Sequence, residues 1–129
     1  MTKLTSAQYQ AMQKPYTITY TGPSLSLNKV KSGNWQDTEK RKNAIKDIMT
    51  VLIIQAKIKP LQRYRIDVVY NSRHDPTNIT FILKIFEDCL KRRGIIIDDS
   101  KKYCAGFSVA PDLQLKLNTF QITLSEIIL

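Results

Sequence analysis

The sequence predicts an α+β fold, a single domain in which a mixed sheet packs against two helices. Three observations predict it. A chain of 129 residues has room for one core and little left for a second. Its make-up, 43% hydrophobic and 24% charged, is that of a chain that folds. Strand-like and helix-like segments follow one another as β, α, β, α, β, β. That mixed order, ending on two strands in succession, implies a partly antiparallel sheet and not a doubly wound nucleotide fold.

Residues 1–14 read as a separable arm or a short helix, Ser6 to Lys14, ahead of Pro15. Residues 15–129 read as the domain itself, because no repeat, low-complexity tract or Pro/Gly/Ser linker divides them. The first strand is YTITY, Tyr16 to Tyr20, in which β-branched and aromatic residues alternate until Gly22 and Pro23 end the pattern. Ser24 to Gly33 lacks periodicity and reads as an exposed loop carrying Lys29 and Lys31. Asn34 is placed to cap a long helix that ends before Pro60. Ala44, Ile45, Ile48, Met49, Leu52 and Ala56 recur there at three- and four-residue steps and mark the expected core face.

YRIDVVY, Tyr64 to Tyr70, is the second strand, and the polar segment NSRHDPTN follows it. The second helix runs from about Ile79 to Arg93, with Ile79, Ile82, Phe86 and Leu90 on one face and Lys84, Asp88 and Lys91 on another. Gly94 is its natural C-terminal stop. YCAGFSV and LKLNTFQITL then read as strands separated by a turn around Pro111 and Asp112.

Twenty Lys and Arg against eleven Asp and Glu leave a net charge of +9, and so large an excess on so small a body favours a polyanionic partner, nucleic acid first. The basic residues are scattered and form no amphipathic membrane anchor. No apolar run reaches the eighteen or more residues of a membrane span, and the polar start MTKLTSAQYQ lacks the apolar core of a signal peptide, so the expectation is an intracellular, cytoplasmic protein. Cys89 and Cys104 stand outside any CxxC pair and read as reduced core thiols, not a bridge or a zinc site.

Three features bear on chemistry: the loop RHDPTN, the helix with Lys84 and Asp88, and the paired acids Asp98 and Asp99. Taken singly, Asp75 before Pro76 is a turn former and Asp98-Asp99 a solvated turn. Taken together, a strand end and a helix-to-loop junction can bring Asp75 and Asp99 to one edge of the sheet. Two convergent carboxylates there can hold Mg²⁺, which activates water and offsets charge on a scissile phosphate. His74 offers an imidazole that can pass a proton, although a loop histidine is usually solvated. Trp35 fits a place beneath the first helix better than one stacked on a base.

The stretch RHDPTNITFILKIFEDCLKRRGIIIDDSKKY resembles the signature of RusA-type Holliday junction resolvases: an arginine-rich Asp-x-Asp-Asn loop, a helix with Lys and a later Asp, a Gly, a short apolar strand and a pair of aspartates. Arg73, Asp75, Asn78, Lys84, Asp88, Gly94, Asp98 and Asp99 match in order, with the spacing of the longer-helix members common in phages and prophages. Upstream, GPSLSLNK, Trp35 and EKRKN are similar to the family's loop and its entry into the first helix. The likeness spans roughly Tyr16 to Leu124.

What this resemblance implies is a RusA-like nuclease domain over residues 15–129, a homodimer that holds a four-way junction and cuts opposing strands with Mg²⁺ in DNA recombination and repair. Asp75 and Asp99 would be catalytic metal ligands, joined by Asp98. Asn78 and Asp88 would support them, and Lys84 would stabilise phosphate charge. Lys29, Lys31, Lys40, Arg41, Lys42, Arg73, Lys101 and Lys102 are the candidate DNA contacts. Thr77 stands where the family has its second loop aspartate, and a neutral hydroxyl is a poor Mg²⁺ ligand and no strong base. Two readings therefore stay open: a Mg²⁺-dependent endonuclease acting on branched DNA, and a catalytically inactive relative that binds DNA or a host protein. An RNA-binding module, which rests on charge alone, ranks third.

Overall fold

A computed structural model describes residues 15–22 and 35–127. The arm at residues 1–14, the loop at 24–33 with Lys29 and Lys31, the cap Asn34 and the Trp35 side chain lie outside the described residues. Within them the elements are β1 (Tyr16–Thr21), α1 (Trp35–Ala56), β2 (Tyr64–Asn71), α2 (Pro76–Arg92), β3 (Cys104–Pro111) and β4 (Thr119–Glu126). This is the expected order of strands and helices, in one domain of α+β class.

The four strands lie in the order β1-β4-β2-β3. β4 is antiparallel to both β1 and β2, whereas β2 and β3 are parallel. β1 and β2 therefore run the same way with β4 between them, so each helix is a crossover between parallel strands. Alternation decides which face the helices cover. On β2, Tyr64, Ile66, Val68 and Tyr70 are buried while the residues between them are half-buried, and Ile18, Tyr20, Phe120, Ile122 and Leu124 continue that face across β1 and β4. Phe120 stacks on Tyr70 and tilts against Tyr20, each at a centroid distance of 5.8 Å, closing one end of the core. On the opposite face, where no helix packs among the described residues, Asp67 accepts hydrogen bonds from Arg65 Nε at 3.0 Å and Ser108 Oγ at 2.6 Å.

α1 buries Ile45, Met49 and Ile53, with Leu52 and Ala56 partly buried beside them. Ala44 and Ile48, expected on the core face, are exposed, as are Val51 and Ile54. The helix is apolar over more of its circumference than the sheet and α2 can cover, so periodicity alone could not choose the buried stripe. Lys57, with φ 52, ends it ahead of Pro60.

α2 starts three residues earlier than the periodicity indicates, because Pro76 sits at its first turn, where the missing N–H costs nothing. Its end has the geometry of a Schellman motif. The Ile95 N–H donates to the Leu90 carbonyl at 2.9 Å and the Gly94 N–H to that of Lys91 at 3.0 Å, with Gly94 at φ 72. Ile95 and Ile96 then plunge into the core, and the Ile95 carbonyl accepts from the Leu61 N–H at 2.7 Å. The short apolar strand that the resemblance implies here is therefore a tucked bend. β4 begins at Thr119, not Leu115, because residues 112–118 form a turn with Leu113 and Leu117 in solvent and Asn118 at φ 63.

Candidate functional site

The reversal at Gly94 sets the geometry of the site, because it sends the chain back along α2. Anchored by Ile95 and Ile96, the chain brings Asp98 and Asp99 alongside the helix they have just left. On α2, Thr80, Lys84, Glu87, Asp88 and Lys91 fall at three- and four-residue steps and so share one side. Lys84 Nζ is bonded to Asp99 Oδ2 and lies 3.6 Å from Asp88 Oδ1. Asp88 Oδ2 is in turn 3.9 Å from Lys46 Nζ of α1, and Asp98 Oδ1 is 2.9 Å from Lys91 Nζ. Each of these three carboxylates is thus met by an ammonium group.

The electrostatics follow from those pairs. The Asp99 hydrogen bond, and after it the nearby carboxylates, holds the Lys84 ammonium above its ordinary range. The bond from Lys91, helped by the Asp99 backbone, keeps the Asp98 carboxyl below its own. Deeper in, Tyr64 donates its hydroxyl to Glu87 Oε2 at 2.5 Å. Burial raises the Glu87 carboxyl above its usual range against the pull of that hydrogen bond. Burial first, and the Glu87 bond second, push the Tyr64 phenol far up, so it remains a proton donor.

Asp75 stands elsewhere. It occupies the N-cap of α2 with extended dihedrals, φ −72 and ψ 156, and makes no side-chain cap bond. Its carbonyl accepts from the Asn78 N–H at 2.9 Å, and its charge adds to the burial that raises the Tyr70 phenol. Lys84 lies nine residues further along the helix, roughly 13 Å at 1.5 Å per residue. The structure therefore brings Asp88 and Asp99 together around Lys84 and places Asp98 on Lys91, while Asp75 stands at the N-cap of the same helix.

Among the described residues no three His, Cys, Asp or Glu side chains are placed to hold one ion together. Thr77, at the position of the second loop aspartate, is exposed, and its carbonyl accepts from Thr80 Oγ1 at 2.8 Å. As they stand, three of these carboxylates are each met by a lysine, and the fourth stands at the N-cap of α2.

His74 is held through its backbone, its N–H on Ser72 Oγ at 3.1 Å and its carbonyl under the Tyr70 hydroxyl at 2.8 Å. Among the candidate DNA contacts, Lys40, Arg73, Lys101 and Lys102 are exposed, and Lys102 Nζ lies 5.4 Å from the Tyr103 ring centroid. Arg41 lies 3.3 Å from Asp37 and Lys42 3.4 Å from Glu39, pairs close to solvent that a phosphate can displace. Cys89 and Cys104 are free thiols, the first buried and the second half-buried.

Sequence reasoning missed Glu87, Tyr64 and Phe107. With Ile66, Thr80, Leu83 and Lys84, Glu87 and Phe107 line a cleft of about 130 Å³ between α2 and the sheet edge. The three-residue step from Lys84 to Glu87 was the one available signal for Glu87. Phe107 had none, because its exposure depends on β3 lying at the edge of the sheet.

In comparisons with known proteins, no family model and no curated protein matches the chain.

Proposed function

We propose that this protein binds branched DNA, as the catalytically inactive form of a RusA-like junction protein, and holds it without cutting. The observation that carries this reading is the capture of Asp88, Asp98 and Asp99 by Lys84, Lys46 and Lys91, with Asp75 at the N-cap of α2. The ordered match of Arg73, Asp75, Asn78, Lys84, Asp88, Gly94, Asp98 and Asp99 supports the kind of DNA, and the net charge of +9 supports the affinity. Thr77 at the second loop position agrees with a silent metal site. A homodimer fits the two-fold symmetry of a four-way junction, and two copies would double the basic surface. No helix among the described residues is long and apolar enough to cross a membrane, which accords with a partner other than a bilayer core.

The active reading makes the opposite prediction. With purified protein and a synthetic four-way junction, the expected result is binding that outcompetes linear duplex at fixed salt, no strand cleavage in Mg²⁺ or Mn²⁺, and affinity that falls steeply as salt rises. Paired nicks at the branch point, abolished by Asp99→Asn, would reverse the reading in favour of a Mg²⁺-dependent endonuclease. Equal affinity for junction and duplex would remove branched DNA as the ligand.

A further inference from the structure

We propose that the cleft between α2 and β3 receives one unpaired base of a branched DNA, stacked on Phe107 with its polar edge turned to Glu87 and Thr80. The inference rests on the DNA-binding reading above and adds the part of the substrate that the cleft would take.

Phe107 is paired with buried Ile66 across the parallel strands and so points to the helix side of the sheet. Because β3 is the edge strand, α2 does not cover it there, and Phe107 is 56% exposed. An aromatic ring left open beside a cleft is a stacking platform, and bases stack on such rings regardless of sequence. Ile66 and Leu83 supply an apolar floor, while Thr80 and Glu87 are the polar groups that orient what enters. The Tyr64 hydroxyl occupies Glu87 Oε2, so Oε1 is the oxygen that an N–H on the base edge would meet. Lys84 lines the same cleft with its aliphatic stem, its ammonium held by Asp99 and Asp88 at the rim.

A cavity of about 150 Å³ takes one benzene ring, so the roughly 130 Å³ of this half-open cleft suits one aromatic ring entering from its open side.

The test uses the full chain and two junctions that differ at one position, an unpaired thymine at the branch point or an abasic site there. The native protein is expected to bind the thymine junction roughly 5- to 150-fold more tightly. Phe107→Ala, at an edge position where little packing is lost, is expected to bind both junctions with the affinity the native protein shows for the abasic one. Phe107→Trp is expected to keep the preference and to lose tryptophan emission on binding thymine, measured against native protein whose only tryptophan is Trp35. If the native protein binds both junctions tightly and equally, or if Phe107→Ala keeps the preference, the base pocket is wrong and the DNA-binding reading survives. If it binds neither at low salt, both fall together.

Discussion

At the scale of single residues, Glu87 and Tyr64 show how burial and pairing compete. Tyr64 is fully buried on the central strand, so its hydroxyl needs a partner, and Glu87 supplies one from the helix above. The carboxyl is raised because burial outweighs that bond, so the folded chain holds the Glu87 proton more tightly than the unfolded chain does. The corresponding stability is fully present below the unfolded carboxyl range and is lost as pH rises through the higher folded value. Glu87→Gln keeps an oxygen for the Tyr64 hydroxyl and removes the titration. This variant is expected to be more stable than the native chain at pH 7, with the gap closing towards about pH 4, near the unperturbed carboxyl range. Thermal unfolding at the two pH values checks it, and a gap of the same size at both would contradict the assignment. Asp75, the residue given most weight in the loop, caps α2 without a side-chain bond. Its sequence neighbour Pro76 already identified a turn, and that local meaning is the one the structure displays.

Elements were legible where a local pattern decided them. β1 and β2 appear within one residue of their expected bounds because alternation identifies both the strand and its buried face. The C-terminal stop of α2 was equally readable from Gly94. Its left-handed φ of 72 suits glycine, and a Cβ there would meet nothing within 4 Å. Gly94→Ala is therefore expected to cost about 1–2 kcal/mol through backbone conformation alone, without a clash. Urea unfolding measures this, and a loss under ~0.3 kcal/mol would show that the reversal does not depend on glycine. What could not be read was set by neighbours distant in sequence. The core face of α1 depends on where β1 and α2 lie, and Phe107 is open because of strand order. The lysine partners of Asp98 and Asp99 depend on a chain reversal whose path has no periodic signature, whereas the Lys84–Asp88 pair lay within one helix face. The residues of the candidate site were thus largely identified in the sequence, whereas their grouping was not.

For the whole molecule, the fold class was legible because the succession of strands and helices permits few arrangements, but the strand order was not, since it rests on pairings across most of the chain. That order has a further meaning for synthesis. β4 follows every other described element, yet it alone bridges β1 to β2. A nascent polypeptide that has reached Asn118 holds two crossover helices and three strands, with β1 lacking any neighbour in the sheet. Ribosome-stalled chains of that length are expected to be digested rapidly by protease, and chains extended past Glu126 and clear of the exit tunnel to become resistant in one step. Gradual protection beginning before Thr119 would mean that an earlier unit stands alone. The keystone of this sheet is laid last, so the chain stays vulnerable until translation has passed it.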